Sequence, residues 1–211
     1  LYGWFGEERI AQEMVLGVGG VKALRALKIP VDVYHFNEGH ALFAGFELVR
    51  EKVAKGRSYE QALSDTREEI VFTTHTPVVQ GNESHYLDRL EYMGAGLGVF
   101  NKARLKQLGG APFNMTVGAL RLSRKSNAVA QLHAVTANKM WMDVKNRSEI
   151  IGITNAIHTP TWVDNRVLKA AGDSTQLIWR LHQENKRKLI DFVRERTGVK
   201  LSPTALLLGF S

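Results

Sequence analysis

An α/β chain built on a doubly wound, mainly parallel sheet is what this sequence predicts, on three observations. Short apolar runs alternate with stretches of helical periodicity, the pattern of buried parallel strands joined by helices. Four of those runs end in polar groups, at Asn37/Glu38, Thr74/His75, His133 and Asn155. In a parallel sheet such strand ends gather on one edge, where unpaired backbone groups face a crevice. The composition, 44% hydrophobic and 23% charged over 211 residues, suits a packed core.

Taken in order, Glu7 to Lys28 carries Ile10, Met14, Val15, Val21, Leu24 and Leu27 at helical spacing and reads as a helix with an interruption. The Gly17-Val-Gly-Gly20 cluster inside it follows no strand, so close helix packing explains it better than a dinucleotide fingerprint does. Val31 to Phe36 reads as a strand, Asn37-Glu-Gly-His40 as a loop and helix-cap network, and Ala41 to Lys55 as a helix. Ser58-Tyr-Glu-Gln61 has capping-box spacing and opens a helix to Glu69. Ile70 to Thr73 is a strand leading into Thr74-His75-Thr76-Pro77. The glycine-rich stretch 78–113 holds short helices near 86–92 and 101–108, and Asn114 caps a helix to Ser123. Glu149 to Ile153 is a strand. Asp173-Ser-Thr-Gln176 caps a long amphipathic helix to Arg196, with Ile178, Leu181, Leu189, Phe192 and Val193 inward. Leu206 to Phe210 reads as a strand just begun. The start at Leu1 without methionine and that apolar finish suggest a segment of a longer protein.

The stretch that organises the rest is Asn127 to Trp141. Ala128 to Leu132 reads as a buried strand, His133 stands at its carboxyl end, and a helix follows from about Thr136 with Met140 and Trp141 turned inward. The edge this creates should hold a polar ligand.

Charge and composition exclude several classes. The chain has no cysteine, so disulfides and thiolate metal sites are ruled out and a reducing, cytoplasmic setting is expected. No apolar run is long enough to cross a bilayer, so no membrane partner is expected. The net charge of +7 invites a nucleic-acid reading, but bases alternate with acids, as in Arg50-Glu-Lys and Arg194-Glu-Arg, so a solvated surface that attracts anions such as phosphate fits better. His40, His75, His85 and His158 are too scattered for a metal site. Glu38 has no acidic companion for a paired-carboxylate glycosidase. Arg121 reads as a bridge to a carboxylate.

The same strand ends carry a resemblance. Asn37-Glu-Gly-His40, Thr73-Thr-His-Thr-Pro77, Phe113-Asn-Met-Thr116 with Leu120-Arg-Leu-Ser123, Leu132-His133, Met140-Trp141 and Ile153-Thr-Asn155 with Thr161-Trp162 resemble the α-glucan (glycogen) phosphorylase family of bacterial type, in order and spacing. Gln183-Glu-Asn-Lys186 and Leu201-Ser-Pro to Gly209-Phe are similar too. The resemblance implies a two-domain glycosyltransferase of GT-B type. Such an enzyme uses orthophosphate and pyridoxal phosphate to cleave α-1,4-glucan and release glucose 1-phosphate. By that likeness residues 1–155 are the latter part of the first Rossmann-like domain, 156–203 a helical crossover, and 204–211 the first strand of a cofactor-binding domain whose lysine anchor the chain does not contain.

The resemblance further implies residue roles. His133 would be the catalytic and substrate-holding residue, gripping the glucosyl unit by ring nitrogen and backbone carbonyl. Asn155 would bond the sugar 6-hydroxyl, His75 would stand beside the anomeric side, and Trp162 would touch the cofactor. Uncharged donor–acceptor groups of this kind suit a neutral polyol. The chain departs from the family where Ala134-Val135 follows His133, where Ala156 follows Asn155, and where Leu1-Tyr-Gly-Trp-Phe-Gly6 stands in place of a longer gating loop. On these expectations the segment is inactive alone, and an oligomer is compatible with it. The alternatives are a nucleotide-sugar-dependent glucosyltransferase on the same scaffold, differing downstream, and a non-catalytic glucan-binding remnant.

Overall fold

Ser58 shows how directly local sequence sets the elements. Its hydroxyl accepts from Gln61 N–H at 3.2 Å while the Gln61 side chain accepts from Ser58 N–H at 3.3 Å, the reciprocal capping box expected of that spacing. It starts α4 (Tyr59–Glu69), which runs straight into β2 (Ile70–Thr74). The computed structural model that shows this describes residues 6–172 and 174–209, so the readings on Leu1 to Phe5, Asp173 and Phe210 lie outside it.

The chain divides into two compact units, residues 1–155 and 156–211. In the first, α1 (Glu7–Met14) passes through a π-helical segment (Val15–Gly19) into α2 (Gly20–Ala26), the expected interruption. β1 (Tyr34–Asn37) is shorter than the reading from Val31, and α3 (Leu42–Ala54) follows. Then come β2, a two-residue β3 (Ser84–His85), α5 (Leu87–Tyr92) and α6 (Lys102–Gly109). A two-residue β4 (Phe113–Asn114) precedes α7 (Met115–Arg121), whose first turn Asn114 caps by accepting from Val117 N–H at 2.9 Å. β5 (Lys125–Ala128), α8 (Gln131–Met140) and β6 (Ile150–Gly152) complete it.

β1, β2, β5 and β6 form one sheet in that order, every pair parallel. The parallel α/β expectation holds. The order has no reversal among these four strands, so a doubly wound arrangement would need strands besides them. One face carries Tyr34, Phe36, Ile70, Phe72, Ala128 and Ile150, all buried, with α7 against β2 and α8 against β5 and β6. Phe43, Phe46, Phe100 and Phe113 extend that core, with Phe46 stacked on Phe100 at 4.0 Å. The other face carries His35, Lys125 and Ile151, all exposed.

Two placements differ from expectation. The strand read as Ala128 to Leu132 is Lys125–Ala128, and the helix begins at Gln131 rather than Thr136. His133 therefore lies in the first turn of α8, not at a strand end. In the second unit, α9 (Thr159–Trp162), α10 (Asn165–Ala170) and α11 (Thr175–Thr197) form, with Ser174 capping α11 by accepting from Leu177 N–H. Leu181 and Ile190 are buried there, but Leu189 and Phe192, expected inward, are each 54% exposed. Residues 206–209 form no strand. A strand needs a partner edge, and among the described residues they pair with none.

Candidate functional site

Parallel pairing brings the carboxyl ends of β1, β2, β5 and β6 to one edge, and with them the polar residues read as a site. Register decides which of them align. On the open face Asn37 lies opposite Thr73, and Thr73 opposite Asn127. Thr73 Oγ1–H donates to Asn127 Oδ1 at 2.7 Å, so its other contact, His35 Nε2 at 2.7 Å, must be the donor to it. A hydrogen-bonded row, His35–Thr73–Asn127, crosses three strands just below the edge.

The loops above that row are tied to one another. Glu38 N–H donates to Thr73 O at 2.9 Å, and its carboxylate accepts from the backbone N–H of His75 and of Thr76. Glu38 holds φ 67 and ψ 175, a backbone region that side chains other than glycine avoid at a cost of about 1–3 kcal/mol. Its carboxylate bonds keep it there. The loop and cap reading of Asn37 to His40 thus describes Glu38 well, though the residue serves the β2 end more than its own helix. The His75 ring, at an exposed residue, meets Asn37 Oδ1 through Nε2 at 2.5 Å.

His133 and Asn155 are fastened to the same residue. Val129 N–H donates to His133 Nδ1 at 3.3 Å, and Asn155 N–H donates to Val129 O at 3.0 Å. With Nδ1 accepting, the neutral imidazole carries its proton on Nε2, and that nitrogen is buried with no partner among the described atoms. The His133 carbonyl points along α8 in helical geometry, so it is not the free strand-end carbonyl the sequence reading required. Above this turn, Ala130 supplies no side-chain cap, which leaves the first N–H groups of α8 facing the edge. Asn155 is exposed.

The edge therefore gathers His75, Asn37 and Asn155 as hydrogen-bonding groups, with the His133 ring nitrogens turned into the protein and Glu38 tied into its loop. It can hold hydroxyl-rich ligands by donor–acceptor matching. It has no carboxylate pair for acid–base hydrolysis, and no metal cluster occurs among the described residues. The row of His35, Thr73 and Asn127 escaped the sequence reading. Period-two alternation puts each of them on one face of its strand, but only the register shows that they meet.

Trp162 belongs to the second unit, 76% exposed at the end of α9. An exposed indole can form one wall of a cofactor site. It supplies neither a phosphate grip nor a covalent anchor, so the residues present do not by themselves fit pyridoxal phosphate.

No family model matches the chain. An uncharacterized protein of Methanocaldococcus jannaschii is 38% identical over 190 residues, which is 90% of this chain and 34% of that protein. The maltodextrin phosphorylase of Thermococcus litoralis is 31% identical across 97% of this chain and 30% of its own length. The glycogen phosphorylase of Mycobacterium tuberculosis is 37% identical across 87% and 25%. The chain thus spans about a third or less of the length of these relatives. Its resemblance to proteins named glycogen and maltodextrin phosphorylase extends over some nine-tenths of its residues.

Proposed function

We propose that this chain is a segment of an α-glucan phosphorylase, a glycosyltransferase, and that its carboxyl sheet edge holds the glucosyl unit undergoing transfer. The observation that carries the reading is the joint attachment of His133 and Asn155 to Val129, beside the His75–Asn37 pair, at one parallel edge. The relatives' names supply the reaction class. In the whole protein, of GT-B type, orthophosphate would cleave the terminal α-1,4 bond and release glucose 1-phosphate, with pyridoxal phosphate as the expected cofactor, held by residues other than these.

The local geometry divides the labour. Asn155 and His75, both exposed, would meet sugar hydroxyls. His133 has committed Nδ1 to Val129 and its Nε2 is buried, so its contribution comes through the shape of the turn it holds. A hydroxyl that a desolvated amide or imidazole expects leaves that group unpaired when absent, which gives discrimination among sugars. The cysteine-free composition supports a reducing compartment, and no helix among the described residues is long and apolar enough to cross a membrane.

In the protein that carries this segment, Asn155→Ala should lower kcat/KM for phosphorolysis of a maltooligosaccharide by about 10- to 100-fold, the loss of one hydrogen bond to a sugar hydroxyl. Unchanged kinetics would remove the amide from the site. The 211 residues alone should release no glucose 1-phosphate, and phosphate-dependent release by them would overturn the reading of the chain as a part.

A further inference from the structure

Beside the starts of β2 and β5, at the end of the sheet away from the sugar edge, lies a cleft of 530 Å³ formed by α4, α6, the end of α7 and the turn after α8. Its wall carries four cations, Arg67, Arg104, Arg121 and Lys145, against one carboxylate, Glu60. The three arginines are half-buried, and backbone carbonyls hold their guanidinium groups. Arg67 Nε donates to Ser123 O at 3.2 Å, and Arg104 Nη1 to Val99 O at 2.7 Å. Arg121 donates to Lys145 O at 3.1 Å and to Gln107 O and Leu108 O at 2.8 and 3.0 Å. The expected carboxylate partner for Arg121 is not there. Among the described residues, none of the four cations is ion-paired.

Half-buried charge without a counterion is costly, and proteins that keep it commonly use it. Burial lowers the pKa of Arg121, with no anion beside it to raise it again. Each arginine is also fixed in direction, so an incoming oxyanion meets preformed forks and little side-chain entropy is lost on binding. Arg104 lies 3.8 Å over the Tyr59 ring, which steadies it further. A neighbouring groove adds Arg124 and Lys125 against the single carboxylate Glu68, so the field around the cleft stays net positive. The volume exceeds what one tetrahedral ion fills and lies in the range of small-ligand sites. Leu63 and Leu108 give it an apolar side for an organic body.

We propose that this cleft binds a phosphate ester of a small hydroxylated molecule, its oxyanion set among Arg67, Arg104, Arg121 and Lys145. The proposal does not depend on the phosphorylase reading. Free orthophosphate shares the recognition chemistry, so the test separates the two.

The protein would be titrated by calorimetry with ribose 5-phosphate, inorganic phosphate, ribose and sulfate at matched ionic strength. Ribose 5-phosphate should bind about tenfold more tightly than inorganic phosphate, and ribose should not bind. Lys145→Glu, at an exposed residue, should weaken ribose 5-phosphate at least about tenfold with an unchanged melting temperature, and Arg104→Gln should weaken it as much. Lys188→Gln, in the other unit, should change nothing. Phosphate bound at the sugar edge would ignore Lys145→Glu, which keeps this result apart from that site. Equal affinity for inorganic phosphate and ribose 5-phosphate would overturn the ester. Binding that tracks ionic strength alone and survives both cleft variants would mean an adventitious ion only and would overturn the site.

Discussion

Glu13 is the residue at which folding and protonation are most tightly joined. It is 2% exposed on α1, and its Oε2 accepts from His85 Nε2 of β3 at 2.7 Å. Arg9 Nε stands 3.4 Å from Oε1 and also donates to Glu83 at 3.2 Å. Arg9 Nη2 lies 2.9 Å from His40 Nδ1, which is itself 3.8 Å from Glu13 Oε1. Burial alone would raise the Glu13 carboxyl; the contacts with His40 and His85 and the charge of Arg9 outweigh it and hold the group below the ordinary carboxylate range. A carboxyl lowered on folding adds stability above its unfolded pKa and loses it as pH falls through the folded value. Stability measured by urea unfolding should therefore be level on the neutral side of the carboxylate range and fall on acidification below it. Glu13→Gln should flatten that part of the acid slope and cost about 3–5 kcal/mol at neutral pH, the penalty for breaking a buried pair from one side. An acid slope identical to the parent's would show that other carboxyls set it. Nothing in local periodicity announces this cluster, because residues 13 and 85 are 72 positions apart and only the fold brings them together.

At the scale of the element, what could be read in advance depended on whether a local signal had a rival. Ser58, Asn101 and Asn114 act as caps through their own side chains, and the helices they start fall where the sequence puts them. Asn127 to His133 offers no such signal. Its apolar residues suit a strand or a helix equally, and pairing of Phe72 to Thr74 with Ser126 to Ala128 ends the strand early enough for α8 to begin at Gln131. The reading of His133 at a strand end therefore misplaced it by the length of that early helix start. In the first helix the π-helical turn rotates the inward face, so Val15 is 69% exposed while Glu13, Gly17 and Val18 are buried. Only one glycine of that cluster has the packing role expected of it. A Cβ on Gly17 would lie 2.4 Å from Ala44 N and 2.7 Å from Phe43 C, whereas one on Gly20, at φ −59, would meet nothing within 4 Å. Gly17→Ala should destabilise by about 1–3 kcal/mol because α3 must move away. Gly20→Ala should stabilise by about 0.4–1 kcal/mol by restricting the unfolded chain. Chemical unfolding of both variants gives opposite signs on this account, and equal signs would refute the close approach of the two helices.

At the scale of the whole molecule, the two units differ in how much apolar surface each encloses. The hydrophobic cluster runs from Ile10 to Ile150, entirely within the first unit. Beyond Asn155 the buried hydrophobics among the described residues are Ala170, Leu181 and Ile190 alone. Leu206 and Leu208, by contrast, are each 83% exposed. A piece of that size usually needs more enclosed surface, or a partner, to fold cooperatively by itself. Residues 153–162, which join the units, are all exposed and carry only the four-residue α9 as regular structure. Brief digestion with a nonspecific protease should therefore cut first between residues 153 and 162, since cleavage favours exposed, weakly structured chain. The larger product should keep a cooperative melt near that of the intact chain. The 156–211 peptide should show only partial helix from α11 and a broad, non-cooperative transition. First cleavage inside α3 or β2, or a sharp melt of the isolated 156–211 peptide, would mean that stability is shared between the units in a way their buried side chains do not provide.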